Sequence, residues 1–140
     1  MPIKNLLFNL GLATLSTHEL DAVTQSEWHL LYILNSLPEQ IAETSFVAIH
    51  VPFFVIIFWL GFNENTRIRE WSRIVFAIFL IVHAGLHKRL ENHPLYTFNS
   101  PLSQGLIFGA GLLGLLYLIV TYISNSRNSN YDNQGNRIKK

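Results

Sequence analysis

The chain has 140 residues, 49% of them hydrophobic, 13% aromatic and only 14% charged, with a formal net charge of +1. A chain of this size is one compact unit, and a net charge of +1 says nothing by itself about nucleic acid, which is not expected as a partner. No cysteine is present, which excludes a disulfide framework and any thiolate metal site.

The mean hydropathy of +0.26 understates the apolar bias, because polar residues gather in loops and in the tail. Four apolar runs stand out, at about 5–23, 43–62, 73–89 and 101–123. A membrane span needs about 20 predominantly apolar residues. The second and fourth runs, with "VPFFVIIFWLGF" and "GLIFGAGLLGLLYLIV", meet this outright; the first and third meet it when their polar ends are included. The predicted fold class is therefore all-α, an integral membrane four-helix bundle over residues 1–123. The polar, Asn- and Ser-rich stretch 124–140 is predicted to be a disordered cytoplasmic tail.

The first run follows Lys4 and has no small-x-small cleavage site before His18, so it is expected to stay as an anchor. It does not end cleanly, but runs into "THELDA". "STHE" fits a capping box that would start a new helix at Ser16. That would leave a first span of roughly 18 Å at 1.5 Å per residue, well short of a hydrocarbon core of about 30 Å. A continuous helix, with His18 at the rim of the apolar layer, is the expectation. "SEWHLLYILNSLPEQ" is too short and too amphipathic to cross, and reads as an extra interfacial helix between spans one and two. In span two, His50 precedes Pro52 by two residues and lies two turns after Glu43 on one stripe. In span three, His83 and His87 are four apart and share one helical face. Span four starts at Ser100-Pro101 and carries Gly105 and Gly109 at GxxxG spacing, repeated by Ala110 and Gly114. That spacing predicts close packing on a neighbouring helix, a second copy or a membrane protein partner.

Four spans place Lys4, the Arg67, Arg69, Arg73 loop and the basic tail on one side, leaving Lys88 and Arg89 on the other. The positive-inside rule makes the first side cytoplasmic, with both termini inside. All six histidines then belong to the outer half, together with Glu19, Asp21, Glu27, Glu39, Glu43 and Glu91. Topology was assigned without them, so their convergence is independent information. An ionisable group inside a span is a functional signal by default. The predicted site is a cluster of His50, His83 and His87, with His18 and Asp21 completing a metal shell and Glu19 as catalytic base. His29 and His93 read as plain loop residues.

The stretches "THELDAVTQSEW", "AIHVP" and "LIVHAGLHKRLENHPLYTFNS" resemble a small family of bacterial four-span membrane proteins, cyanobacterial ones among them, known as a domain of unknown function. The resemblance covers about Asn5 to Tyr122. It implies the four-span architecture in a bacterial plasma membrane, and no activity. A looser likeness is to the membrane family named for His-x-x-Glu-Glu. There the matching stretch, His18 to Ala22, has one acid shortened to Asp21 and lacks the second.

Three functions follow as expectations. The first is a metal-dependent membrane enzyme, with zinc or iron on the histidines, acting on a lipid-like molecule at the outer face. The second is a haem b protein gripped by His50 and one of His83 or His87. The third is a non-enzymatic subunit or small transporter whose polar cluster locks the bundle. No phosphate-binding loop, dinucleotide fingerprint or nucleophile elbow is present.

Overall fold

In a computed structural model of the chain, residues 2–138 are described, with side chains through Ser126. Among the described residues the chain is all-helical. Its order is α1 (Ile3–Thr24), a 3₁₀ turn (Glu27–Leu30), α2 (Tyr32–Asn35), α3 (Glu39–Gly61), α4 (Thr66–Leu90) and α5 (Pro101–Ile138). The four long helices match the four apolar runs but not their ends: α3 begins four residues before 43, α4 seven before 73, and α5 runs on past 123. The backbone of α5 continues to Ile138, through much of the 124–140 tail expected to be disordered; the tail beyond Ser126 lies outside the described side chains.

α1 is unbroken for 22 residues, so "STHE" is not a cap. The hydroxyls of Ser16 and Thr17 instead donate to Leu12 O and Ala13 O, both at 2.9 Å, the back-bonding of mid-helix Ser and Thr. The amphipathic stretch that follows is not one helix. Ser26 adopts a left-handed conformation at φ 55°, which a non-glycine residue takes only under local constraint. The chain then makes one 3₁₀ turn and one α-turn, separated by the extended Leu31. The reason is Glu27, which is pulled inward instead of following the apolar periodicity. Ser100 caps α5, its Oγ accepting from Ser103 N at 3.0 Å.

The core is a three-helix assembly of α1, α4 and α5, and α3 lies against α4. Neighbours alternate in direction, α1 running alongside α4 and antiparallel to α3 and α5, as the pairs Lys4–Glu70, Phe53–Phe79 and Gly111–Ala84 require. Close approach of α5 to α4 depends on Gly111 and Gly114. A Cβ at Gly114 would stand 2.5 Å from Ala77 O, and one at Gly111 2.8 Å from the Ala84 Cβ. Gly105 and Gly109, singled out by the GxxxG spacing, have nothing within 4 Å. At about 100° per residue, Gly105 lies half a turn away from Gly114, so the motif faces out of the bundle.

Two buried clusters divide the interior. Leu7, Phe8, Leu12, Leu15, Phe76, Ala77 and Leu80 fill the amino-terminal end. There Arg73 donates to Gly61 O at 2.8 Å and to Asn5 Oδ1 at 2.7 Å, with its guanidinium over the Phe8 ring. Ala22, Trp28, Phe46, Tyr96 and Phe98 fill the opposite, histidine-bearing end.

Candidate metal centre

His83 and His87 project from one face of α4 toward α1, as their spacing requires, and His18 meets them from α1. The three rings lie edge-to-face, with centroids 4.7 Å apart for His83–His87, 4.9 Å for His18–His83 and 5.0 Å for His18–His87. One nitrogen from each lies within 4.8 Å of the others. A tetrahedral zinc with bonds of about 2.0 Å sets its nitrogens roughly 3.3 Å apart. To hold such an ion the rings would have to close by up to about 1.5 Å, within the broad χ2 freedom of histidine.

The polar accounting makes the cluster unusual. His18 is fully buried, and neither of its ring nitrogens has a hydrogen-bond partner among the described residues; the same is true of His83 Nε2 and Glu27 Oε2. Buried polar atoms are almost always paired, and each unpaired one costs about 1–3 kcal/mol. Each imidazole can offer one lone-pair nitrogen and Glu27 a carboxylate oxygen, so the cluster has the donor set of a cation site.

Glu27 closes the fourth side. The 3₁₀ turn brings its carboxylate to 3.5 Å from His87 Nε2 and 3.7 Å from His18 Nε2. Burial alone would raise its pKa; the contact with His87 and the neighbouring imidazoles of His18 and His83 outweigh burial and hold it below the usual carboxylate range. It is thus an anion facing three imidazoles. Behind them, Phe98 packs on His87 and His18 with centroids at 4.8 and 5.6 Å. The Tyr96 hydroxyl lies 3.4 Å from His87 Nδ1. Burial pushes that hydroxyl's pKa up; its oxygen can accept the Nδ1–H of His87, the arrangement that would orient the ring and leave Nε2 for a metal.

The expected set is thus divided and one member exchanged. His18, His83 and His87 come together. His50 does not join them: its Nε2 pairs with Glu19 Oε2 at 2.7 Å and its Nδ1 contacts Phe46 O at 2.6 Å. Both nitrogens are engaged, which removes His50 from the metal shell and Glu19 from the position of a base on it. Asp21 sits one turn beyond His18, its Oδ1 3.4 Å from the Thr24 hydroxyl, outside the histidine group. His29 pairs with Glu39 at 2.8 Å, and His93 Nδ1 accepts from Leu95 N at 3.3 Å, as loop residues. Glu27, Tyr96 and Phe98 were missed. Only the first carried a signal, an acid set among apolar residues in "SEWHLL".

An open cleft of about 710 Å³ adjoins the triad, floored by Glu27, His83 and His87 and walled by Leu30, Ile49 and Leu86. For the haem reading, His50 is turned away from His83 and His87, with its two nitrogens on Glu19 and Phe46 O.

Comparison with curated proteins and with solved structures gives no match. A family model described as a family of unknown function, DUF6713, matches residues 4–124. The chain therefore belongs to the DUF6713 family.

Proposed function

We propose that this chain is a four-span membrane enzyme that holds one divalent metal, zinc first, on His18, His83 and His87, and acts on a lipid-like substrate. The carrying observation is the buried group of unpartnered imidazole nitrogens beside a carboxylate and an apolar cleft. Three neutral imidazoles with one open position suit a metal that acts as a Lewis acid and brings the pKa of bound water to about 7. Glu27, 3.5 Å from His87 and 3.7 Å from His18, would take the proton of a water and return it to a leaving group. Hydrolysis of an ester or amide bond in an amphiphile is the reaction class that fits.

The membrane reading rests first on α3 and α5, which are long and apolar enough to cross. α1 and α4 pack along α5, and their 22 and 25 residues span about 33 and 38 Å at 1.5 Å per residue. Their charges gather near the ends, while Leu10, Val75, Ile78 and Val82 are exposed between. The Arg67, Arg69, Arg73 end is cytoplasmic by the positive-inside rule, with both termini, in a bacterial plasma membrane. The metal site then faces outward.

Elemental analysis of the detergent-purified chain tests the site. One metal per chain is expected, retained in His50→Ala and lost in a His83→Ala, His87→Ala double variant. Wild-type protein that takes up no zinc, iron or cobalt refutes the reading. The burial of His18 also favours a purely structural metal in a non-enzymatic subunit. Glu27→Gln separates the two readings: loss of hydrolysis with metal retained supports the enzyme.

A further inference from the structure

The groove between α3 and α4 carries a second cavity, of about 370 Å³, toward the amino-terminal end, with Ile57 and Gly61 of α3 on one wall, Trp71 and Val75 of α4 on the other, and Phe8 beneath. Between it and the histidines the Phe53 and Phe79 rings meet edge to face, centroids 5.8 Å apart, and Phe79 stacks on His83 at 5.6 Å. These two rings separate the cavity from the triad and would have to turn aside to join them. The second cavity is almost wholly apolar. The Ser72 hydroxyl on its wall is engaged with Ile68 O of its own helix at 2.7 Å.

We propose that this cleft seats one long acyl or alkyl chain of the substrate, with the polar head on the histidine triad and the tail passing Phe53 and Phe79 into the second cavity. The inference rests on the metal-site reading above and narrows the substrate class. From His83 to Trp71 is twelve residues of α4, about 18 Å at 1.5 Å per residue. An extended chain with C–C bonds of about 1.5 Å advances roughly 1.3 Å per carbon, so about 14 carbons cover the distance. Polar groups lie at one end only, which matches an amphiphile with one head and one tail.

Ile49 lines the first cavity and Ile56 the second, and both are exposed, so each cavity opens sideways on the surface of the helix pair.

The test uses cobalt-loaded full-length protein and alkyl hydroxamates carrying a diazirine at the chain end, in eight-carbon and sixteen-carbon forms. The visible cobalt bands report the head on the triad, and mass spectrometry of the photolabelled protein reports the tail. Both probes are expected to shift the cobalt bands. The eight-carbon chain should label near Ile49 and Leu86, the sixteen-carbon chain near Ile57, Trp71 and Val75. Val75→Trp, which fills the second cavity, should reduce the long-chain label there at least tenfold and leave the cobalt shift unchanged. A cobalt shift with long-chain label spread equally over Val55, Leu112 and Leu116 overturns this inference alone. Absence of any cobalt signal overturns the metal reading and this inference with it. The wild-type label map decides the matter even if the tryptophan variant does not fold.

Discussion

Replacing His18 with leucine should change stability in opposite directions with and without metal. His18 is fully buried with both ring nitrogens unpartnered, and leucine is close to it in volume. In chelator the substitution removes two polar atoms that cost about 1–3 kcal/mol each when unpaired. The loss of the neighbouring imidazole from Glu27, 3.7 Å away, offsets part of that, so a net gain of about 1–3 kcal/mol is expected. With free metal a thousandfold above its dissociation constant, binding stabilises the wild type by about 4 kcal/mol. A shell short of one ligand forfeits most of this. The variant should then be about 1–3 kcal/mol less stable than wild type, the difference between the two effects. Thermal unfolding of the detergent-purified pair, in chelator and in zinc, measures both at about 2–8 °C per kcal/mol. A shift of the same sign in both conditions would refute the reasoning, because it would mean the histidine contributes only packing.

Three further outcomes are expected. Gly114→Ala should cost about 1–3 kcal/mol by overpacking against the Ala77 carbonyl, whereas Gly105→Ala, facing open space, should leave the thermal midpoint unchanged or raise it slightly through helix propensity. The Glu27 carboxyl has a folded pKa below its unfolded value near 4.5. Its stabilisation is therefore whole above that value and lost as pH falls through the lower folded value; acid titration by circular dichroism should show metal-free Glu27→Gln lacking this component. Arg73→Lys loses the bridge to Gly61 O and Asn5 Oδ1 and should lower stability by about 1.5–3 kcal/mol, the usual worth of a hydrogen bond to a charged group.

Much of the frame was legible because it is written in helical periods. The four apolar runs mark the four long helices, though not where each begins or ends, and the i, i+4 spacing of His83 and His87 could only put both on one face. His18 followed from a length argument, since the helix had to continue past Ser16 to reach bilayer thickness. What could not be read was rotation about each helix axis. His50 sits at the right depth, but its ring is held by Glu19 and Phe46 O, and depth alone cannot tell an inward from a sideways direction. The GxxxG spacing of Gly105 and Gly109 has the same limit: it fixes a stripe, which here faces out of the bundle, and leaves the partner open. Glu27 was hidden differently. Its inward turn depends on a left-handed Ser26 and on the imidazoles it meets, a tertiary cause that overrides local periodicity.

X-ray absorption at the metal edge of zinc-loaded protein tests the central claim most directly. Three imidazole nitrogens at about 2.0–2.1 Å with one oxygen are expected, falling to two imidazoles in His18→Leu. A wild-type spectrum with fewer than three imidazoles, or one unchanged by loss of His18, would contradict it.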